Sequence, residues 1–93
     1  MHDRDIQTSS LILDKYLSNG TKNERALDCG AGIGRVAKHL LLPRFKEIDL
    51  IEPSKAQIDQ ARVDFAMNKA VDKYYEVGLQ DFKFEKSYDV IWI

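Results

Sequence analysis

The sequence predicts an α/β fold, a parallel sheet wound with helices. Two observations carry the prediction. From Glu24 onward short apolar runs alternate with helical patterns, in the order strand, helix, strand, helix, strand, strand. A glycine cluster, Gly30-Ala31-Gly32-Ile33-Gly34, falls where the first strand meets the first of these helices. Right-handed crossovers then put helices on the sheet faces and bury the strands on both sides.

Each element has its own justification. A helix is predicted from about Thr8 to Ser18, with Leu13 and Leu17 on one face, Leu11, Ile12 and Tyr16 beside them, and Asn19-Gly20 as the stop. Thr21-Lys22-Asn23 is a polar linker. Arg25-Ala26-Leu27-Asp28-Cys29 is the first strand. Gly34 to about Leu42 is helical, with Val36, Ala37, Leu40 and Leu41 inward, and Pro43 ends it. Ile48 to Ile51 is the second strand. Ser54-Lys55-Ala56-Gln57 has the spacing of a reciprocal capping box, and Ile58, Ala61, Phe65 and Ala66 continue its helix. Tyr74 to Val77 is the third strand and Tyr88 to Ile93 the fourth, beside the first.

Composition narrows the function. Lys plus Arg total 14 and Asp plus Glu 15, a net charge of -1, which excludes a strongly basic nucleic-acid binder. The single cysteine, Cys29, cannot close an internal disulfide, and with two scattered histidines no metal site is expected. The longest apolar run, Val90-Ile91-Trp92-Ile93, is far short of the roughly 20 residues that cross a bilayer, and Met1 to Asp5 lack a signal-peptide core, so no membrane association is expected and a reducing intracellular compartment is the default. That run also ends the chain without a turn residue. The expectation is the N-terminal part of a larger domain, truncated after the fourth strand.

The chemistry concentrates in Leu27-Asp28-Cys29-Gly30-Ala31-Gly32-Ile33-Gly34-Arg35. Glycines at this junction let a ligand approach the backbone and leave N–H groups to bind it. A dinucleotide fingerprint wants glycines at its first, third and sixth positions; here they stand at Gly30, Gly32 and Gly34, and the sixth position is Arg35. The Asp-x-Gly-x-Gly-x-Gly run is instead typical of class I S-adenosylmethionine-dependent methyltransferases. Glu52, 18 residues after Gly34 at the end of the second strand, can accept from ribose hydroxyls of either cofactor. Asp28 reads as a loop organiser, Cys29 as a small buried residue, His39 as solvent-facing, Tyr74-Tyr75 as strand packing and Trp92 as core.

The stretch Ala26 to Arg35, Leu40-Leu41-Leu42-Pro43, Gly78-Leu79-Gln80-Asp81-Phe82 and Tyr88-Asp89-Val90-Ile91-Trp92-Ile93 resemble the eukaryotic alpha-N-terminal protein methyltransferases, and Asp5-Ile6 before a Ser-rich helix start resembles their N-terminal extension. The resemblance implies a Rossmann-like class I methyltransferase fold with helices on both faces. Residues 1–23 would be the helical extension and linker, and 24–93 the N-terminal half of the S-adenosyl-L-methionine-binding domain. It implies Gly30, Gly32 and Gly34 around the methionine part of the cofactor, Arg35 on its carboxylate, Glu52 on the ribose, and Leu79 and Gln80 bordering the adenine. The family often has Asp where Glu52 stands. Implied substrates are protein N-termini of the Xaa-Pro-Lys type, in cytoplasm and nucleus, with the peptide channel and proton-accepting groups beyond Ile93. No catalytic residue is assigned within the chain. A small-molecule or other-site protein methyltransferase, and a non-catalytic cofactor-binding module or dehydrogenase fragment, remain open as alternatives.

Overall fold

A computed structural model describes residues 3–93, with side chains from Ile6 onward; Met1 and His2, the start of the expected 1–23 extension, lie outside the described residues. The chain folds as helix α1 (Asp3–Ser18), strand β1 (Arg25–Cys29), a π-helical turn (Ala37–Leu41), strand β2 (Glu47–Ile51), helix α2 (Lys55–Asp64), strand β3 (Val71–Tyr75), a 3-10 turn (Leu79–Asp81) and strand β4 (Val90–Trp92). The four strands form one parallel sheet in the order β3-β2-β1-β4. Asp28, near the end of β1, therefore lies between Leu50 of β2 and Trp92 of β4.

Several boundaries move, each for a local reason. The N-terminal helix begins at Asp3, five residues before the expected start. Its packed stripe is Ile6, Leu13 and half-buried Leu17, while Leu11, Ile12 and Tyr16 point to solvent rather than flanking the packed face. The third strand begins at Val71, not Tyr74. Asp72 and Lys73 hid it, because charged residues at these positions are tolerated on an edge strand. Ala66 is exposed, since α2 ends at Asp64 and Phe65 is its cap. After Gly34 the helix is compact and widens: Leu42 N–H donates to the Ala37 carbonyl five residues back at 2.8 Å, and Pro43 follows. Arg44 then donates to the Leu40 carbonyl at 2.9 Å and pairs with Asp14 at 2.7 Å, fastening α1 to this turn.

The helices lie on one face of the sheet. Leu13, Ala37, Leu40, Leu41, Ile58, Ala61 and Phe65 all pack with Ala26, Ile48 and Leu50. The expectation of helices on both faces thus holds for one face among the described residues, and handedness explains which face carries them. The β1–β2 and β2–β3 crossovers step the same way across the sheet, so right-handed connections put both on one side. The β3–β4 crossover steps back and must cross the other face. There Leu27, Cys29 and Ile51 are covered by Tyr75, Val77, Phe82 and Tyr88, from a segment with one 3-10 turn and no α-helix.

Candidate cofactor site

The glycine loop leaves the C-terminal end of β1 with positive φ at Gly30 (70°), Gly32 (60°) and Gly34 (91°). Gly34 is doubly constrained: a β-carbon there would run into the Phe65 ring, so the loop and the end of α2 sit closer than any other residue allows. The loop is fastened on its inner side. Ala31 N–H donates to the Ile51 carbonyl at 2.9 Å, Gly34 N–H to the Ala31 carbonyl at 3.0 Å, and Gly32 N–H to Glu52 Oε1 at 2.8 Å. These three donors are used within the chain, contrary to the expectation that the loop would hold its N–H groups open for a ligand. Ile51 at the end of β2 and Glu52 just after it supply two of the acceptors, and the loop's own Ala31 carbonyl the third.

Glu52 is nine-tenths buried and works with both oxygens. Its Oε2 accepts from Ser54 N–H at 2.8 Å. The capping box is thereby half realised: Gln57 N–H donates to Ser54 Oγ at 3.4 Å, but the Ser54 N–H that Gln57 was expected to take goes to Glu52. Each Glu52 oxygen keeps acceptor capacity, since a carboxylate offers about four lone-pair sites. The sequence signal for this bracing role was the Glu-Pro-Ser spacing that ends β2 and opens α2.

A cleft of about 510 Å³ opens above β1 and β4, lined by Asp28, Gly30, Gly32, Arg35, Gln57 and Trp92 among others. Arg35 is exposed at its rim. Asp28 forms part of its floor, 2% exposed, and its Oδ2 has no hydrogen-bond partner. Burial first, and the Glu52 charge second, push the Asp28 carboxyl up to about 7. A buried carboxylate oxygen left without a donor is costly and rare. It fits a ligand that brings an N–H donor or a positive charge into the cleft, and the ammonium of S-adenosylmethionine is such a group. Burial and the Asp28 charge likewise push the Cys29 thiol up, as befits a small strand-end residue and not a nucleophile.

The expected site residues separate into three groups. Gly30, Gly32 and Arg35 line the cleft, and Glu52 is tied to it through Gly32. Gly34 shapes the loop from behind, bordering a larger open groove of about 830 Å³ with Lys38, His39 and Met67 on the outer surface. Leu79 and Gln80 sit exposed on the 3-10 turn past the C-terminal end of β3, at the same end of the sheet but outside the cleft lining. Asp28 is the residue that sequence reasoning undervalued; its Asp-Cys-Gly setting marked the loop but not the missing partner.

A parallel β3-β2-β1-β4 sheet with this loop after β1 and an acid closing β2 has the class I S-adenosylmethionine-dependent methyltransferase fold. A SAM-dependent methyltransferase from Leishmania major superposes with a TM-score of 0.83 at 34% identity, over 97% of this chain and 36% of that one. One from Clostridium acetobutylicum shares the fold with a TM-score of 0.75 at 20% identity, over 86% of this chain and 32% of that one. The family model for AdoMet dependent proline di-methyltransferases matches residues 1–93, and the chain belongs to that family. Among curated relatives, alpha N-terminal protein methyltransferase 1 of Dictyostelium discoideum is 61% identical over 70 residues, 73% of this chain and 26% of that protein. N-terminal Xaa-Pro-Lys N-methyltransferase 1 of Danio rerio is 46% identical over 94 residues, 96% of this chain and 42% of that protein. The chain spans less than half the length of these relatives.

Proposed function

We propose that the protein is an S-adenosyl-L-methionine-dependent methyltransferase acting on the α-amino group of protein N-termini that begin Xaa-Pro-Lys. The observation that carries the cofactor half is the orphaned Asp28 oxygen in a cleft rimmed by Gly30, Gly32 and Arg35. The acceptor half rests on the relatives, whose names specify Xaa-Pro-Lys N-termini. When bound, the cofactor supplies an electrophilic methyl group. The chain's residues then have positioning work: Arg35 pairs with the carboxylate in a planar fork, Asp28 accepts from the ammonium, and Glu52 accepts from ribose hydroxyls while holding the loop. Leu79 gives the adenine an apolar wall, with Gln80 a polar neighbour. An α-amine has a pKa of about 7.7–8.0, so its neutral form is accessible near neutral pH and catalysis is largely a matter of alignment.

In this reading residues 24–93 are the cofactor-binding half of the catalytic domain, residues 1–23 are its helical extension, and the partners are proteins with a free N-terminus. The described residues contain no helix long and apolar enough to cross a membrane; fractionation of the tagged intact protein tests a cytoplasmic and nuclear location. The activity test uses the intact protein with an Xaa-Pro-Lys peptide and its N-acetylated twin. Methylation of the free peptide alone is expected. Turnover of neither, or NAD binding without S-adenosylhomocysteine binding, overturns the reading.

A further inference from the structure

The β3–β4 crossover, residues 76–89, runs down the non-helical face as mostly irregular backbone. Side chains fix its path. An aromatic chain leads from Tyr75 to Phe82 (ring centroids 5.0 Å apart), Phe82 to Phe84 (4.9 Å) and Phe84 to Tyr88 (6.4 Å). Below it, Asp49 of β2 is fully buried. Its Oδ2 accepts from the Tyr88 hydroxyl at 2.6 Å and meets Lys86 Nζ at 2.8 Å, while Oδ1 accepts from Lys73 N–H at 3.1 Å. Lys86 also reaches Asp72 at 3.2 Å and Glu47 at 3.5 Å, and Glu47 pairs with Arg25 at 3.2 Å. Oxygens of Glu47, Asp49 and Asp72 converge within 4.8 Å, and the Lys86 ammonium supplies their cation.

A carboxylate in the middle of a parallel strand is a poor way to gain stability, since apolar replacements of buried pairs are often as stable or more so. Its distinctive product is one geometry where apolar packing tolerates several. At the upper end of the same crossover Phe82 N–H donates to the Leu79 carbonyl at 3.2 Å and Asp81 N–H to the Gly78 carbonyl at 3.1 Å, so the residue that starts the aromatic chain on Tyr75 also closes the turn carrying Leu79 and Gln80.

We propose that Asp49, Lys86 and Tyr88 form a clamp that positions Leu79 and Gln80 against the adenine of the cofactor. The clamp rests on the cofactor reading above. It persists across physiological pH: burial works against the Lys86 charge, but bonds to Asp49 and Asp72 outweigh it and hold the ammonium above its ordinary range. Burial, then the Asp49 carboxylate, push the Tyr88 hydroxyl up and keep it protonated.

The test compares S-adenosylhomocysteine with S-inosylhomocysteine, which differs only in the base, by calorimetry on the intact protein. Tyr88→Phe keeps the ring and removes the hydroxyl; it is expected to weaken S-adenosylhomocysteine binding about fivefold and to narrow the preference between the two bases. Lys86→Met is expected to do the same, and Lys86→Arg to recover part of the preference. A lower melting temperature with an unchanged base preference in both Tyr88→Phe and Lys86→Met overturns the clamp. Leu79→Ala separates the two readings. If it narrows the preference while the clamp variants do not, the clamp alone fails; if it too leaves the preference unchanged, the adenine placement fails and takes the clamp with it.

Discussion

Beside the ribose contact proposed for it, Glu52 has a duty that the sequence did not display. Its bonds to Gly32 and Ser54 were not legible, because they join residues brought together by the turn after β2. Replacing it by Gln puts an amide N–H₂ where one of two backbone N–H groups needs an acceptor. Glu52→Gln is therefore expected to lower stability by about 1–3 kcal/mol as well as weaken cofactor binding, read from denaturant melts and from S-adenosylhomocysteine titration. Unchanged stability with weakened binding would mean that the loop does not depend on the brace. Asp28 makes a pH prediction. Its carboxyl titrates near 7 in the fold against an ordinary 3.8. From about pH 4 to about pH 7 the folded chain keeps a proton that the unfolded chain has lost. Its contribution to stability therefore falls as pH rises, by at most about 1.4 kcal/mol per unit. Asp28→Asn should flatten that slope in urea melts between pH 4.5 and 7.5. Cofactor binding near pH 6.5 should release a proton, seen as buffer-dependent calorimetric heat. An identical slope in the variant would remove Asp28 from the account.

At the scale of elements, the glycine loop yields a graded outcome. Gly30 has open space around its missing β-carbon, so Gly30→Ala pays only for a left-handed backbone, about 1–2 kcal/mol. Gly34→Ala meets the same backbone cost and the Phe65 ring, so its loss of stability should exceed that of Gly30→Ala by about 1–3 kcal/mol. Thermal melts of the two variants decide, and equal losses would show that α2 yields without cost. The elements themselves were legible where local rules suffice. The β1 apolar run, the Ser54 cap and the Pro43 stop all depend on neighbours within a few residues. The start of β3 was not, because whether Asp72 and Lys73 belong to a strand depends on that strand being at the edge. Nor was the solvent-facing side of α1, since Leu11, Ile12 and Tyr16 share helical spacing with the packed residues.

For the whole molecule, the parallel sheet and the place of β4 beside β1 were legible from the element order of a doubly wound fold; that one face would carry no α-helix among the described residues was not, because handedness fixes the side of each crossover and not its secondary structure. The outer edge of β4 has no strand beside it among the described residues, and Ile91 and Ile93 are exposed there, 44% and 84%. An open edge of this kind templates pairing. The 93 residues expressed by themselves are expected to self-associate in sedimentation runs and to catalyse no methyl transfer, and Ile91→Lys should shift the population toward monomer. A monodisperse wild-type chain would show that the edge is protected, and turnover on an N-terminal peptide would overturn the catalytic half. The one-sided placement of helices also sets a schedule of motion. Hydrogen exchange follows local opening, which is cheapest where backbone hydrogen bonds are few and solvent is near. Amides of residues 83–88 should exchange long before those of β1 and β2, and bound cofactor should slow the turn at Leu79–Asp81 more than the helical side. The protein is thus expected to open first on the face covered by residues 76–89, and the dissociation rate of bound cofactor to rise and fall with how often that segment lets go.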